Sequence, residues 1–486
     1  MKTWLKLALV MVTLTATGCT TLGPDYHVPA TAMAQRASVT APFRGADTRI
    51  TVNRDLQTKW WELYHDPVLN SLVEQALTTN TDLRIAAANI GRANALLRSA
   101  DHARDISTQF SGTAQYGRIS GEQYLIMQTL PDGGLYDIGF NAAYQIDLFG
   151  QISRSLEAAR GDQEVSQATY DTVQITIAAE TVRSYAAACS TGRELKIAEH
   201  ALSLQQESVA LKQRLYDGGR AMTLEVSRAQ AERDQEQAMI PALQARQQVA
   251  LYRLAVLTGK PPAEFPRQVA SCTSEPELKA PIPIGDGASL IQRRPDVRRA
   301  ERALAAATAR IGVAMADMYP HIQLGASIGS TGLSNHLFRS DTMRFGIGPL
   351  ISWSFPDRDL AKIHIALAKS DQEATFARFD GAVLNALQEI EGALTMYSQD
   401  VNRRDALRTS HEHLAQAQQD AWTLYHQGRV NYVPVVAAER ALVAAEHRLA
   451  EAEAKISADQ IVLFLALGGG WEGDGPQAPT SLGSQP

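Results

Sequence analysis

The length of one helix-like pattern limits what this chain can fold into more than any other feature. From about Ile152 to Tyr216, an Ala- and Gln-rich pattern runs for about 65 residues. As an α-helix it would be close to 100 Å long, at about 1.5 Å per residue. A second stretch, from about Leu360 to Tyr425, repeats the pattern in the second half of the chain. Helices of this length indicate a long coiled-coil tube, not a compact bundle.

Each long pattern ends at a glycine and is followed by a shorter one. The breaks read "LYDGGR" up to Arg220 and "LYHQGR" up to Arg429. In the first half, the helix after the break has about 37 residues and an earlier one, from Asn80, about 24. Two short helices stacked end to end therefore match one long helix. The second half gives the same sum, so the chain consists of two internal repeats.

Heptad spacing in the long helices forms two seams. Leu195, Leu202 and Val209 define one seam, and a second set is displaced from it by two residues, or about 200° around the helix. A helix with two seams contacts two neighbours, as a closed ring of helices requires. A helix buried in a bundle would show the same pattern. Aromatic residues make up only 6% of the chain, which favours packing through small side chains.

Two segments in each half alternate apolar and polar residues. The clearest are "YDIGFNAAYQIDL" from Tyr136 and "RFGIGPLISWSF" from Arg344, and their weaker partners begin at Ser107 and His321. Period-2 alternation predicts strands with one apolar face. Each segment is long enough to cross a bilayer as a tilted strand of about 9 to 11 residues.

Four strands cannot close a barrel, and lipid does not tolerate an open sheet edge. If the strands are transmembrane, the chain must therefore oligomerise. Barrels of about 8 or more strands are known, so counting alone leaves both a dimer and a trimer open. Two soluble hairpins in a periplasmic domain are the alternative.

The N-terminus predicts export. A lysine-containing start, the apolar run from Leu7 to Leu14 and small residues before Cys19 are typical of a secretory signal, and the run is too short for a membrane span. The ending "ATGC" resembles a bacterial lipobox, in which Cys19 becomes the lipidated N-terminus. Thr20 then fits sorting to the outer membrane. An ordinary cleaved signal is the alternative.

The remaining sequence offers no chemistry. Cys189 and Cys272 lack metal-ligand spacing, and we expect two unpaired structural cysteines. The chain carries a formal charge of −6 and no basic cluster interleaved with aromatics, which argues against nucleic acid. "GASIG" around Ser327 matches a nucleophile motif but lies in an alternating strand, and "GGGWEG" from Gly468 follows a helix as a C-cap. We expect no enzyme activity, cofactor or metal.

Several motifs together resemble the TolC-like outer membrane factors, and among them the NodT-type lipoprotein branch. The resemblance covers nearly the whole mature chain. Its carriers are "GPDYHVP" from Gly23, "WWELYHDPVLNSLVEQAL" from Trp60, "YQIDLFG" from Tyr144, "LIQRRPDVRRAERALAAATARIGVAMADMYP" from Leu290 and "LALGGGW" from Leu465.

The resemblance implies an α+β membrane protein that forms a homotrimer. Its 12-stranded transmembrane β-barrel, with four strands per chain, would continue into a 12-helix periplasmic α-barrel with a mixed equatorial domain. It also implies a passive exit duct for drugs or other small toxic compounds in a tripartite efflux or secretion system. The partners would be a periplasmic membrane-fusion adaptor and an inner-membrane transporter, of the resistance-nodulation-division type by preference. A lipid-anchored periplasmic coiled-coil scaffold without pore activity is the alternative function.

The resemblance also assigns site residues. The breaks at Gly219 and Gly428 would be the periplasmic tips of helical hairpins, where adaptor hairpins dock. Glycine permits the left-handed turn that ends a helix and lets another backbone approach closely. Arg220 and Arg429 stand beside these glycines as candidate donors to the adaptor.

A periplasmic gate is expected just past each tip. Family members often carry aspartates where this chain has Pro434 and Ala437, so the acidic ring is missing from the second copy. Val433 remains as an apolar constriction, and Glu225 keeps an acid in the first copy. We therefore expect closure mainly by an apolar ring near Val433.

The segments expected along the chain are a signal peptide (1–18), a lipidated arm (19–60), first-repeat helices (61–106), a first transmembrane β-hairpin (107–149), a first helical hairpin (150–259, tip near 217–221), an inter-repeat equatorial linker (260–289), a second-repeat helix (290–319), a second transmembrane β-hairpin (320–356), a second helical hairpin (357–468, tip near 426–430) and a disordered tail (469–486).

Overall fold

A computed structural model describes residues 21–118, 120, 122, 125–129, 132–353 and 358–469. The expected signal peptide, the lipidation site Cys19 and all but the first residue of the expected tail lie outside these residues. Among the residues described, no helix is both long enough and apolar enough to cross a lipid bilayer.

The long helices form where the sequence predicts them. The helices are α1 (Ala37–Thr40), α2 (Pro67–Thr79), α3 (Thr81–Asp101), α4 (Gln151–Asp217), α5 (Thr223–Leu257), α6 (Gly287–Arg293), α7 (Pro295–Ala316), α8 (Arg358–His426) and α9 (Val433–Ala466). The strands are β1 (Thr51–Val52), β2 (Ser107–Gly117), β3 (Gly133–Ile146), β4 (Ile282–Pro283), β5 (His321–Leu333) and β6 (Met343–Ser352). The helical region of the first repeat is divided into two helices at Asn80, because Asn80 ends α2 and its side chain accepts from the Asp82 amide in the first turn of α3.

The chain divides into two compact units, and each takes segments from both sequence repeats. The first, here called the sheet unit, comprises Met1–Pro29, Ile90–Ser166 and Arg299–Phe379. The second, the hairpin unit, comprises Ala30–Asn89, Gln167–Arg298 and Asp380–Pro486.

The sheet unit contains a four-stranded antiparallel sheet in the order β2-β3-β5-β6. Its register aligns apolar side chains into rows, as in the row Phe110, Phe140, Ile328 and Phe345. The neighbouring row is Gln109, Asn141, Ser327 and Gly346. Since successive residues of a strand point to opposite faces, one face is apolar and the other polar. The alternation expected from the sequence is confirmed.

Within the part of the chain that the structure describes, both outer strands of this sheet have an unpaired edge. There, β2 pairs with β3 alone, and β6 pairs with β5 alone. Phe110 on β2 and Phe345 on β6 are 72% and 88% exposed. On the polar face, Arg344 forms an ion pair of 2.6 Å with Asp137 across the intervening strand. The sheet thus leaves two edges and an apolar surface without a partner among the described residues.

The N-terminal arm is fixed to the helices of the sheet unit. Gly23 has φ +88°, and a Cβ built on it would lie 2.5 Å from the Cα of Gly312 on α7. Only glycine at both positions allows this approach. The buried Arg154 guanidinium on α4 donates to the Leu22 carbonyl oxygen (3.0 Å) and pairs with Asp25 (2.7 Å). These contacts account for the "GPDY" stretch of the arm.

The hairpin unit has an aromatic core. Trp60 and Trp61 are fully or almost fully buried, and Trp60 stacks on Phe464 of α9 with ring centroids 4.5 Å apart. Asp66 caps α2 by accepting from the Val68 amide at 2.9 Å. The "WWELYHDP" motif thus supplies both core side chains and a helix start.

Arg294 connects three helices of the hairpin unit. Its guanidinium is 8% exposed and pairs with Asp296 and Glu389, each at 2.7 Å. It also donates to the Ala466 carbonyl oxygen near the end of α9, at 2.9 Å. Burial alone would raise the pKa of Asp296, but the hydrogen bond and charge of Arg294 outweigh it and lower that pKa. One side chain therefore joins the start of α7 to α8 and to the end of α9.

The expectation of two unpaired cysteines is wrong. Cys189 and Cys272 form a disulfide bond, with Cα atoms 4.7 Å apart and a sequence separation of 83. Cys189 is fully buried on α4, and Cys272 lies in the segment that connects the two repeats. The spacing of the two residues carried no signal, because they meet only through the tertiary fold. The bond ties the connecting segment to the first long helix.

We expect replacement of both cysteines by serine to destabilise the chain by about 2–4 kcal/mol, because the bond closes a long loop in the unfolded state. The measurement is the midpoint of heat denaturation, followed by circular dichroism with and without dithiothreitol. Reductant should lower the midpoint of the wild-type chain and leave that of the Cys189→Ser/Cys272→Ser chain unchanged. If the midpoint of the wild-type chain were the same with and without dithiothreitol, the prediction would be contradicted.

Candidate functional site: the two hairpin tips

The first tip joins α4 to α5 through a tight helix cap. The Gly219 amide donates to the Tyr216 carbonyl oxygen at 2.9 Å, and the Arg220 amide donates to the Leu215 carbonyl oxygen at 2.7 Å. Gly219 has φ +67°, in the left-handed region. This combination is a Schellman motif, which satisfies the last carbonyl groups of the helix.

The second tip, between α8 and α9, repeats this cap bond for bond. The Gly428 amide donates to the Tyr425 carbonyl oxygen at 2.8 Å, and the Arg429 amide donates to the Leu424 carbonyl oxygen at 2.9 Å. Gly428 has φ +69°. The motifs "LYDGGR" and "LYHQGR" therefore form the same backbone geometry. In both, glycine occupies the left-handed position, which strongly favours this residue.

Space beside both glycines is open. A Cβ built on Gly219 or Gly428 meets no atom within 4 Å. Arg220 and Arg429 are exposed. In the part of the chain that the structure describes, neither guanidinium takes part in an ion pair or side-chain hydrogen bond. Each tip therefore has an accessible backbone at its glycine and an exposed arginine guanidinium beside it.

We expect Gly219→Ala and Gly428→Ala each to lower the free energy of local opening of the helix cap by about 1–2 kcal/mol. A Cβ is disfavoured in the left-handed region, although no neighbouring atom obstructs it. Hydrogen exchange of the amides that follow each glycine measures this loss as faster opening. Gly218→Ala is the matched control, since Gly218 precedes the left-handed residue and has no positive φ. Equal exchange in all three variants would show that the caps do not depend on glycine.

The side chains that hold the first tip are ionic. Lys212 on α4 pairs with Glu225 on α5, with Nζ 3.1 Å from Oε2. Glu225 also lies in the first turn of α5, where a carboxylate interacts favourably with the helix dipole. The acid that sequence reasoning assigned to the gate therefore has a partner within its own hairpin.

The side chains that hold the second tip are aromatic. Trp422 stacks on His426 with centroids 5.2 Å apart, and Tyr425 packs edge-to-face on Tyr432 at 5.3 Å. The Trp422 indole N–H donates to Glu439 on α9 at 2.8 Å. Burial, with Glu439 as a second cause, raises the pKa of Tyr432. Sequence reasoning missed this cluster, although four ring-bearing residues within eleven positions were a visible signal.

Val433 begins α9 directly after the second tip. Its amide donates to the Asn431 side-chain oxygen at 3.1 Å, and its side chain is 61% exposed. Pro434 follows in the first turn, where the missing amide hydrogen costs no helix bond. The chain therefore exposes an apolar side chain at the position where sequence reasoning placed an apolar constriction.

The motifs away from the tips have ordinary structural positions. Ser327, in the nucleophile-like "GASIG", lies inside β5, which continues to Leu333, so the serine is not at a turn between a strand and a helix. Within the described ranges, no group of three or more His, Cys, Asp or Glu side chains could hold a metal ion. Gly468 has φ +68° just after α9, in agreement with its interpretation as a C-cap.

Comparison with known proteins decides the family. A model described as outer membrane efflux protein matches residues 72–260 and 288–469, which together exceed half of the chain. The chain belongs to the outer membrane efflux protein family. The predicted resemblance to the TolC-like factors is thereby confirmed.

Curated members of the outer membrane efflux protein family align over almost the full length. Nodulation protein T of Rhizobium leguminosarum bv. trifolii is 26% identical over 464 residues, covering 94% of this chain and 96% of the relative. Cation efflux system protein CusC of Escherichia coli O6:H1 is 29% identical over 474 residues, covering 96% and 99%. A Salmonella typhimurium relative, 27% identical over 476 residues, is named as a probable outer membrane lipoprotein, SilC.

Solved structures of efflux channels share the fold. The outer-membrane channel OprN is 33% identical with a TM-score of 0.84, covering 93% of this chain and all of OprN. The open-state MtrE outer membrane channel of Neisseria gonorrhoeae is 25% identical with a TM-score of 0.75, covering 94% of this chain and all of MtrE. The fold class is therefore the expected α+β architecture of the TolC-like outer membrane channels. The chain is an outer-membrane component of an efflux system, in a family whose members are channels.

Proposed function

We propose that three copies of this chain form a passive exit duct for drugs or other small toxic compounds. The observation that carries the proposal is the four-stranded sheet, with one apolar face and an unpaired edge on each side. In lipid, such edges must be paired, so β2 of one copy meets β6 of the next. Three sheets of four strands give a closed barrel of 12 strands.

The tips supply the proposed docking site for a periplasmic membrane-fusion adaptor. Gly219 and Gly428 leave their backbones open, and Arg220 and Arg429 offer cations for adaptor carbonyl or carboxylate groups. Behind the adaptor, an inner-membrane transporter of the resistance-nodulation-division type would drive export. Relatives named as antibiotic or cation efflux components support small toxic compounds as the cargo.

We further propose that Cys19 carries the lipid anchor in the outer membrane. The lipobox-like ending and the relative named as a lipoprotein support this assignment. Cys19→Ser separates the proposed duct from the alternative, a lipid-anchored scaffold without a pore. A barrel should remain in the outer-membrane fraction without its lipid, whereas a scaffold should be released.

Oligomer mass and bilayer conductance test the duct itself. Detergent-solubilised protein should have the mass of a trimer by light scattering and should conduct ions in planar bilayers. A monomer without conductance would rule the duct out. Arg220→Cys and Arg429→Cys, each carrying a short cross-linker, should capture the adaptor at the tips, while Arg253→Cys, at an exposed position near the opposite end of α5, should not.

The gate is proposed to close by apolar constriction at Val433. Support comes from the exposure of this side chain and from Lys212, which already neutralises Glu225 within the first hairpin. A ring of three valines resists wetting in a way that a paired carboxylate does not.

A further inference from the structure

We propose that a cavity between α4, α5 and α9 of the hairpin unit binds primary amines that carry an apolar body. The cavity has a volume of about 540 Å³. Sites for small organic ligands generally measure about 300–1,000 Å³. Because α5 belongs to the first hairpin and α9 to the second, a ligand held there would contact both hairpins at once.

Three buried polar atoms that line this cavity have no hydrogen-bond partner in the described part of the chain. They are Gln205 Oε1 on α4, Glu236 Oε2 on α5 and His447 Nε2 on α9. Buried polar groups in folded proteins are nearly always paired. Three unsatisfied atoms from three different helices, all lining one cavity, indicate that a ligand with several donors completes the site.

The charges around the cavity select a cation. Its glutamates outnumber its arginines by four to two, and they are Glu232, Glu236, Glu439 and Glu451 against Arg440 and Arg448. Glu232 is paired with Arg440. Glu439 accepts from the neutral Trp422 indole. Glu236 forms no ion pair with any described residue, so its carboxylate is the natural position for an ammonium group.

The number of unpaired acceptors in the cavity matches the number of N–H donors of a primary ammonium group. An ammonium group has three N–H donors, whereas the amide oxygen of Gln205, the carboxylate of Glu236 and a neutral imidazole of His447 are three acceptors. A quaternary ammonium ion has the charge but no donor. Leu204, Met239, Val436 and Val443 form apolar walls for the rest of the ligand.

The inference goes beyond the exit duct, because it concerns a binding site formed by helices of a single chain. A chain that failed to conduct would still bind the amine, and a conducting trimer without this site would not. Conductance and ligand binding therefore fail independently.

Isothermal titration calorimetry on the full-length protein in detergent tests the site with tryptamine as the probe. Tryptophol, which has a hydroxyl in place of the ammonium group, and N,N,N-trimethyltryptamine, which keeps the positive charge but has no N–H donor on the ammonium nitrogen, are matched ligands. We expect saturable binding of tryptamine, at one site per chain, and at least about tenfold weaker binding of both analogues.

Variants locate the binding. Glu236→Gln and, separately, Gln205→Leu should each weaken tryptamine binding, the first by about tenfold or more, because the first removes the negative charge that pairs with the ammonium and the second removes an acceptor. Asp234→Asn is the control, since this acid is exposed on the same helix and does not line the cavity. Circular dichroism verifies that each variant is folded.

Three results would overturn the proposal. If tryptophol binds as well as tryptamine, the ammonium site does not exist. If Glu236→Gln and Gln205→Leu both bind like wild type, any binding occurs elsewhere. If tryptamine gives no saturable heat up to about 1 mM, the affinity is below that of even a weak site and the cavity holds water alone.

Discussion

Replacing Arg294 with methionine is expected to lower the free energy of unfolding by about 2–3 kcal/mol, less than for a fully buried pair because the Glu389 side chain is 51% exposed. The substitution keeps an unbranched apolar side chain but removes the guanidinium from between Asp296 and Glu389, and it leaves the Ala466 carbonyl oxygen without this donor. Breaking a buried ion pair from one side is costly because the remaining charge stays desolvated. Chemical denaturation of the purified protein, followed by circular dichroism, measures the loss.

Arg299→Met is the control for this change. Arg299 lies five positions further along, is exposed, and should change the stability by no more than about 0.5 kcal/mol. A loss at Arg294 no larger than at Arg299 would show that the network does not stabilise the fold.

The same network predicts a pH dependence. The pKa of Asp296 is lowered in the folded chain, so its carboxylate contributes stability above its unfolded pKa of about 3.9 and loses that contribution as the pH falls through the folded value. The gap between the wild type and Arg294→Met should therefore narrow below about pH 4. A gap that widens in acid would contradict the assignment.

Val433→Ala is expected to increase leakage through the closed duct severalfold, whereas Glu225→Gln should change it little. The alanine ring leaves a wider and less apolar constriction, which wets more readily. Glu225 contributes little free charge because Lys212 lies 3.1 Å from it. Conductance of single channels in planar bilayers, together with entry of a large antibiotic into cells, reports the difference.

Val436→Ala is the comparison for this prediction, one turn further along α9 and half-buried. It should leave leakage near the wild-type level if the constriction is formed at Val433. The opposite pattern, with an open pore in Glu225→Gln and a closed one in Val433→Ala, would assign closure to the carboxylates instead.

Local rules in the sequence were enough to predict most of the fold. The glycine breaks predicted the ends of α4 and α8 because a left-handed cap strongly favours glycine, as at Gly219 and Gly428. Period-2 alternation predicted the strands because a sheet with one apolar face repeats every two residues. Both signals act within a few residues of the chain.

Contacts between distant segments could not be predicted in the same way. The Cys189–Cys272 bond joins residues 83 positions apart, and Arg294 meets Glu389 almost a hundred positions further along. The Lys212–Glu225 pair crosses the first tip and depends on how two helices align after the turn. Such partners are chosen by packing, so neither spacing nor residue type identified them.

The two tips have the same backbone cap but different side-chain contacts, so their stabilities should respond differently to salt. At an ionic strength of about 1 M the screening length falls to about 3 Å, which weakens a partly exposed pair such as Lys212–Glu225. Ring packing around Trp422 is apolar and is not screened by dissolved ions. A rise in ionic strength would therefore weaken the side-chain contacts of the first tip and leave those of the second tip unchanged.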